Sequence, residues 1–279
     1  MTTSEVVARL ARATHIEAIP LRSVREDLLS APSGTVFTIT CSAKTGPERT
    51  LEFAELAAKN GYRVIPHLAA RQVAGPAALR DFLDRLASAG ITDLFVIGGD
   101  LTEPVGPYPG AADLLEALAD LDHGITRIGV GCYPEGHPAI PDDVVLADLL
   151  RKQKNADYLV SQLCFDVDAL VGWLGSVRAA GVVLPLRLGL AGPVQIRKLV
   201  EVSLRIGVGS SLRYLRKQHG MVRNLVGGGA YRPEELVRAL VDRLGEAASE
   251  IEGLHLFSFN QIEAATAWQE RFASCATPT

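Results

Sequence analysis

Short apolar runs that are rich in β-branched residues alternate along this chain with segments of helical periodicity, and this alternation is the strongest constraint on the fold. Eight such runs occur: His15–Ile19, Thr35–Thr40, Arg63–Leu68, Asp93–Gly98, Arg127–Cys132, Tyr158–Cys164, Leu184–Leu190 and Gly253–Phe259. Runs that are apolar almost throughout are typical of parallel strands covered by helices. Most begin about thirty residues apart, the length of one βα unit with its connections. The pattern predicts an α/β protein, a (β/α)8 TIM barrel.

The segments between these runs carry the signals of helices. Pro76–Ala89 places its leucines and a phenylalanine on one face, and its proline suits the first helical turn. Asp166–Ala180 repeats this pattern, and Pro233 opens another helix that runs towards Ala248. An open doubly wound sheet is the competing arrangement. It is disfavoured because no GxGxxG motif, the usual dinucleotide signature of such a sheet, follows the first run.

The interval between the seventh and eighth runs is much longer than the others. It extends from Leu190 to Gly253, and its stretch Gly207–Gly229 contains basic residues and a triple glycine. We predict that this interval holds an extra helix and loop near the barrel rim. No Pro-rich or Ser-rich linker divides the 279 residues. Because a barrel of this length is normally one domain, a single domain over residues 1–279 is expected.

Composition excludes several classes of protein. Lys plus Arg number 28 and Asp plus Glu number 32, for a net charge of −4, which argues against a nucleic-acid binder with a basic face. No run of apolar residues is long enough to span a membrane, and the first residues lack the apolar core of a signal peptide. The four cysteines have no CxxC spacing, as expected of buried thiols in a reducing cytoplasm, and no clustered zinc ligands occur. The sequence therefore predicts a cytoplasmic protein that binds neither nucleic acid nor membrane.

Polar residues gather where the predicted strands end, which is where the active sites of such barrels lie. These are Glu17, Thr40, His67, Asp100, Tyr133, Glu135, His137, Gln162, Asp166, Asn260 and Gln261. Each has a structural alternative. Asp100 follows two glycines and is also suited to capping a turn, Asp166 to capping the next helix, and His67 to a structural role. Their convergence on one rim is what favours a functional site.

Glu17 is the most informative of these residues. It lies inside the first strand run, between Ile16 and Ala18. A carboxylate among apolar residues is costly unless it is paired or takes up a proton. We therefore expect either a functional acid or, as the alternative, a carboxylate that reaches solvent or pairs with an arginine.

Two basic segments are ambiguous. One, beginning at Ala147, supplies Arg151, Lys152 and Lys154, and the other begins at Arg213. Each fits the solvated face of a helix. Each also fits an electropositive lip for phosphates or for an acidic tail of a substrate.

Motifs at the strand ends together resemble the methylenetetrahydrofolate reductase family, in its bacterial catalytic-domain type. The most similar segments are GCYPEGHP from Gly131 and ADYLVSQLCFD from Ala156. Four further segments match in the same order: IEAIP from Ile16, VIPHL from Val64, GGD from Gly98 and LHLFSFNQ from Leu254. The resemblance covers nearly the whole chain. It implies a (β/α)8 barrel that binds FAD without a Rossmann unit.

The resemblance also implies a reaction. In this family NADH or NADPH reduces the flavin, and the flavin passes hydride to 5,10-methylenetetrahydrofolate to form 5-methyltetrahydrofolate. The substrate is thus a small-molecule folate, and a homo-oligomer is expected because family members often form dimers or tetramers. The sequence does not choose between NADH and NADPH, since no Rossmann acidic residue is present to be interpreted.

The family's functional residues carry over to particular positions here. Glu17 matches the general acid that helps to open the imidazolidine ring, Asp100 a carboxylate near flavin and folate, and Gln162 the glutamine that bonds the pterin. The resemblance implies that six residues line the flavin: Thr40, His67, Asp100, Tyr133, His137 and Asp148. Arg151 or Lys154 is expected to reach the flavin diphosphate beside a basic helix start.

Three departures from the family pattern affect these expectations. Gly98 stands where the family has an arginine, Cys164 replaces an aromatic residue, and Gln261 replaces the last arginine. We expect FAD to bind more loosely than is typical, because one guanidinium contact is missing. Two alternatives stay open: direct hydride transfer from NADH or NADPH to the folate without flavin, and a non-redox folate-binding or one-carbon-transfer protein on the same barrel.

Overall fold

The computed structural model describes residues 2–194, 199 and 232–275, and within them eight parallel strands close into one barrel in chain order. The strands are β1 (Thr14–Ala18), β2 (Val36–Ile39), β3 (Arg63–Ala69), β4 (Asp93–Ile97), β5 (Arg127–Cys132), β6 (Tyr158–Ser161), β7 (Leu186–Ala191) and β8 (Ile251–Phe257). The described α-helices are α1 (Thr3–Arg12), α2 (Arg25–Leu29), α3 (Gly46–Lys59), α4 (Pro76–Ser88), α5 (Ala111–Ala119), α6 (Asp142–Lys152), α7 (Val167–Ala179), α8 (Pro233–Leu244) and α9 (Ile262–Cys275). The predicted (β/α)8 barrel is confirmed.

Side chains along each strand point alternately outwards to the helices and inwards to the barrel interior. In β1, Ile16 and Ala18 are buried in the large core between the strands and the helices. His15 and Glu17, the residues between them, face the barrel interior, as the two-residue period of a strand requires. A smaller apolar cluster fills that interior: Ile65, Phe95, Tyr158 and Val160. Polar residues in the middle of these strands are therefore inward-facing.

Charged side chains close the barrel at the end where the strands begin. Arg63 and Asp93 form an ion pair at 2.6 Å. Glu252 pairs with Arg127 at 2.6 Å and with Arg187 at 2.7 Å. We call these five residues the floor; the sequence pattern did not predict that they interact. Because they close this end of the barrel, a ligand site is expected at the opposite end.

Two glycines make room for the large side chains that cross the interior above the floor. A Cβ at Gly129 would collide with the ring of Tyr158, and one at Gly253 would lie 2.5 Å from Nη1 of Arg187. The ring of Tyr158 lies 4.8 Å from the guanidinium carbon of Arg127. Glycine in these strands is thus explained by packing inside the barrel.

Strand ends differ from the sequence prediction by two or three residues in β6, β7 and β8, and by at most one residue in the other strands. β6 ends at Ser161, not Cys164, because the chain after it turns to bond other loops. β8 begins at Ile251, which pairs with Leu186, and ends at Phe257. The residues after it, Phe259 and Asn260, have φ values of 51° and 62°, which break the extended conformation.

Helix boundaries agree well with the pattern where the structure describes them. Asp166 caps α7 by accepting a hydrogen bond from the Ala169 amide at 3.0 Å, as its structural alternative predicted. α8 ends earlier than expected, at Leu244, and a 3-10 helix, Gly245–Glu250, leads into β8. The predicted extra helix and loop over Gly207–Gly229 lie outside the described residues. None of the described helices has the length and apolar character needed to cross a membrane.

Candidate active site

Glu17 lies inside the barrel near the carboxyl ends of the strands. It is in register with Thr38 of β2 on one side and with Phe257 of β8 on the other. Its side chain is 14% exposed. A carboxylate in this position is shielded on its sides by the barrel wall and accessible only from the rim.

His255 of β8 is the partner of Glu17, where the sequence alternative was an arginine. Nε2 of His255 lies 3.2 Å from Oε2 of Glu17. Sequence reasoning missed His255, although a signal was present. It lies between Leu254 and Leu256 in an apolar strand, the same pattern that singled out Glu17.

The end of β8 also holds the main chain around Glu17. The Ser258 hydroxyl donates to the Glu17 carbonyl oxygen at 2.5 Å. The Asn260 side chain accepts from the Ile19 amide at 2.7 Å and donates to the Ile19 carbonyl at 3.1 Å. Asn260, which was predicted as a rim residue, therefore joins the two strand ends, and Glu17 is held by both its side chain and its backbone.

Asp100 lies at the rim and joins two loops. Its Oδ1 accepts a hydrogen bond from the Ala43 amide at 2.8 Å, so the loop after β4 contacts the loop after β2. Thr40 begins that second loop, and its amide donates to the Ala18 carbonyl at 3.0 Å. Gly99 adopts a φ of 92°, and a Cβ there would lie 3.0 Å from the Cβ of Ala69. Asp100 and Thr40 thus lie in loops that contact each other, and Thr40 continues the pairing of β2 with β1, the strand of Glu17.

The loop after β5 presents an aromatic pair. The rings of Tyr133 and His137 are 4.7 Å apart and nearly perpendicular, at 87°. Burial raises the pKa of the Tyr133 phenol and lowers the pKa of His137, so both groups favour their neutral forms at neutral pH. Because the rings are nearly perpendicular, one uncharged ring of the pair at a time can stack on a planar ligand.

Glu135 of the same loop has a structural role. Its Oε1 accepts hydrogen bonds from the amides of Phe165 and Asp166 at 2.7 and 2.9 Å and from the thiol of Cys164 at 3.1 Å. Burial, with the nearby charge of Glu135, raises the pKa of that thiol. Glu135 therefore ties the β5 loop to the β6 loop and orients both.

Gln162 follows β6 beside the Tyr133 loop. Its backbone N–H donates to the Cys132 carbonyl at 2.8 Å. Its side-chain oxygen accepts from the Leu163 amide at 2.9 Å. An amide oxygen can accept two hydrogen bonds, so Gln162 can bond a ligand through both ends of its amide group while it keeps this local bond.

His67 lies deeper than its predicted place at a strand end. β3 continues to Ala69, so His67 points into the barrel, where its ring packs edge-on against Phe95 at 4.7 Å. Burial, with a contribution from His255, lowers its pKa well below the usual value. Among the described residues its Nε2 has no hydrogen-bond partner. His67 is therefore a neutral imidazole beneath the rim.

The predicted flavin residues on α6 are engaged by other side chains. Asp148 pairs with Lys152 at 2.9 Å. Arg151 binds Asp113 at 2.8 Å and Glu116 at 2.6 Å, both on α5. The hydrogen bond from Arg151 lowers the pKa of Glu116, and the positive charges of Arg151 and Lys154 lower it further.

The expected basic helix start is not present. α6 begins with Asp142 and Asp143, and its basic residues, Arg151 and Lys152, lie in its last turn. This distribution complements the helix dipole and stabilises the helix. At 1.5 Å per residue, Arg151 is about 13 Å along the axis from the first residue of α6. Arg151 and the N-terminal amides of α6 therefore cannot bind one diphosphate together, and Lys154 lies beyond the helix in a 3-10 turn.

Comparisons with known proteins agree with this barrel and its motifs. A family model described as methylenetetrahydrofolate reductase matches residues 23–271. Methylenetetrahydrofolate reductase 2 of Saccharomyces cerevisiae is 26% identical over 197 residues, covering 64% of this chain and 32% of the yeast protein. Methylenetetrahydrofolate reductase 1 of Schizosaccharomyces pombe is 31% identical over 123 residues, covering 40% of this chain and 20% of that protein. The chain thus spans a third or less of the length of these curated relatives.

Solved structures show a likeness of fold alone. A class V chitinase from Cycas revoluta, in complex with (GlcNAc)3, superposes with a TM-score of 0.52 at 12% identity, covering 95% of this chain and 99% of the chitinase chain. At that identity the likeness carries no information about chemistry. The family match extends over most of the chain, and the strand-end motifs occur in the family's order. This chain belongs to the methylenetetrahydrofolate reductase family.

Proposed function

We propose that this protein reduces 5,10-methylenetetrahydrofolate to 5-methyltetrahydrofolate with hydride that originates from NADH or NADPH. The observation that carries the proposal is Glu17, a shielded carboxyl group at the open end of the barrel, in a chain of this family. Methylenetetrahydrofolate, one hydride and one proton give the methyl product. The protein must therefore supply a proton donor beside the folate.

Glu17 supplies that proton in the proposed mechanism. The imidazolidine ring opens when the bond from the bridging carbon to one nitrogen breaks, leaving an N5-iminium cation that accepts hydride. The departing nitrogen needs a proton, which the Glu17 carboxylic acid donates. General acid catalysis of this kind typically contributes about 10²–10⁴-fold in rate.

Asp100 stabilises the cation by its charge. At 4 Å in bulk water, two unit charges interact by about 1 kcal/mol, and near a protein surface by about 4 kcal/mol. Asp100 is exposed when the site is open. Its contribution therefore grows when the bound folate displaces water from the rim. Gln162 is proposed to bond the pterin through its side-chain amide group.

The residues fit the predicted FAD only in part. One neutral ring of the Tyr133 and His137 pair suits stacking on a flat ring system, and Thr40 lies at the same rim, directly after β2. Two observations weigh against the predicted diphosphate site: Arg151 pairs with two carboxylates, and α6 begins with acidic residues. No step of the mechanism is therefore assigned to a flavin.

Direct hydride transfer from NADH or NADPH is the second candidate. The carboxylate partners of Arg151 favour it, as does Gly98 in place of the family's arginine. In this case the aromatic pair would face the nicotinamide donor, and the roles of Glu17 and Asp100 would be unchanged. The two candidates share a substrate and differ in whether FAD is needed.

A spectrum and an assay test these proposals together. Purified protein is examined for flavin absorbance, and then for oxidation of NADH and of NADPH with methylenetetrahydrofolate. FAD is next titrated into stripped protein. Turnover that requires FAD supports the flavin route, and turnover without FAD binding supports direct transfer. If neither nucleotide is consumed, the reductase proposal is wrong and a non-redox folate protein is favoured.

A further inference from the structure

His255 is a buried imidazole with one polar contact in the described part of the chain. It is 1% exposed. Its ring centroid lies 4.8 Å from that of Phe257, 6.2 Å from that of Phe95 and 6.3 Å from that of His67. Nε2 approaches Oε2 of Glu17 at 3.2 Å. The packing leaves the ring little freedom other than to present Nε2 to the carboxyl group.

The surroundings of Nδ1 favour a neutral His255. Nδ1 is buried and has no hydrogen-bond partner among the described residues. In an imidazolium both nitrogens carry hydrogen, so a charged N–H would be buried without an acceptor, at considerable cost. In the neutral ring with hydrogen on Nε2, Nδ1 keeps only an unpaired acceptor. The single N–H of His255 therefore points at Glu17.

Several charged and titratable groups surround the ring. Glu17 and His15 face it from β1 and His67 from β3, while Arg127 and Arg187 lie towards the floor with Glu252 between them. Burial lowers the pKa of His15 well below the usual value, and the charges of Arg187 and His255 add to this.

We propose that His255 is a positioning residue that donates its Nε2 hydrogen to Oε2 of Glu17 and so places the transferable proton on Oε1. The inference rests on the proposed function, in which Glu17 is the acid. An arginine here would hold Glu17 in its ionised form, because an opposite charge favours the carboxylate. A neutral imidazole orients the carboxyl group and favours the carboxylate less strongly than a full positive charge would. The barrel thus fixes the direction of the acid and leaves its proton available.

Two variants of His255 and one matched control test this role through turnover. His255→Gln keeps an N–H donor, whereas His255→Leu removes it and keeps most of the volume. Phe95→Leu alters the packing around the ring and leaves the hydrogen bond intact. We expect His255→Leu to lose about 10²-fold in kcat with a small change in KM, as for a misplaced catalytic group. His255→Gln should retain most of the rate, and Phe95→Leu should stay near wild type.

The pH profile separates positioning from a merely structural effect. A hydrogen bond to the carboxylate stabilises its ionised form, so removing the donor should move the high-pH limb of the kcat profile to higher pH. That limb should move in His255→Leu and stay in place in His255→Gln and Phe95→Leu. Wild-type kcat in His255→Leu, or equal loss in both His255 variants without a shift of the limb, would overturn the proposal.

Nitrogen NMR tests the hydrogen bond without any turnover. The chain has six histidines, so ¹⁵N-histidine labelling gives few signals. We expect His255 to show a hydrogen on Nε2 and a bare Nδ1, and its Nε2 signal to respond to Glu17→Gln while that of His67 responds much less. An imidazolium, the opposite tautomer or no response to Glu17→Gln would refute the inference. If wild-type protein fails to reduce the folate while these signals appear, the proposed function fails and the hydrogen bond stands.

Discussion

Replacing Glu17 by glutamine removes the acidic carboxyl group at the open end of the barrel while keeping the shape of the side chain. The amide oxygen remains an acceptor for Nε2 of His255, and the backbone carbonyl keeps its bond from Ser258. A neutral hydrogen bond contributes about 1 kcal/mol net, so the free energy of unfolding should change by no more than about that amount. For a chain of this size this corresponds to roughly 2–4 °C in Tm.

The same substitution should nearly abolish folate reduction. Loss of a general acid lowers the rate by about 10²–10⁴-fold, or about 3–5 kcal/mol in activation free energy. The assay is NADH or NADPH oxidation with methylenetetrahydrofolate, run beside a thermal melt. If FAD binds, its reduction by the nucleotide should survive. Wild-type folate turnover in Glu17→Gln would refute the assignment of the acid.

Glu135 provides the matched control, because it is a second carboxylate at the same rim. Its Oε1 accepts from two loop amides, and Oε2 is buried without a partner in the described residues. Glu135→Gln replaces charge-assisted bonds with neutral ones, a loss of about 1 kcal/mol for each amide. We expect a fall of about 2 kcal/mol in the free energy of unfolding, measured with urea, and a smaller loss of rate than in Glu17→Gln. An unchanged urea midpoint would contradict the structural role.

Three further predictions concern the charges and histidines of the barrel. Asp100→Asn keeps an acceptor for the Ala43 amide, so the protein should fold and bind its cofactor, but hydride transfer to folate should fall about tenfold or more as cation stabilisation is lost; an unaffected folate half-reaction would argue against this. Arg151→Gln should leave FAD affinity and turnover near wild type, because the guanidinium binds α5; a tenfold weaker FAD titration would restore its predicted diphosphate role. Folding lowers the pKa of buried His67, so the unfolded chain takes up the proton first as the pH falls. The free energy of unfolding should therefore decrease below about pH 6.5, by up to about 1.4 kcal/mol per pH unit. Urea midpoints measured against pH should show this slope, and His67→Phe should reduce it while the contribution of buried His15 remains.

The barrel could be predicted from the sequence because its signals are local. Each strand is a short apolar run, each helix has its own apolar face, and their alternation permits few arrangements of a parallel sheet. The strand ends were less certain, since they depend on pairing with another strand. β8 begins at Ile251 because Leu186 of β7 is its partner, and that residue lies 65 positions earlier.

The rim site was predicted only as a set of residue types. Glu17, Asp100, Tyr133 and Gln162 were identified because polar side chains in or after apolar strands are costly and the strand ends converge. Whether Arg151 is free for a phosphate was not predictable, because its partners are on another helix.

Tertiary structure alone decided which side chains touch. His255 and Glu17 are 238 residues apart in the chain and 3.2 Å apart in the barrel. Both were visible as polar residues inside apolar strands, and only closure of the barrel, which pairs β1 with β8, brings them together. A sequence pattern records the face on which a residue lies, because that is set by its nearest neighbours. The hydrogen-bond partner is set by strand order and register, which long-range packing determines.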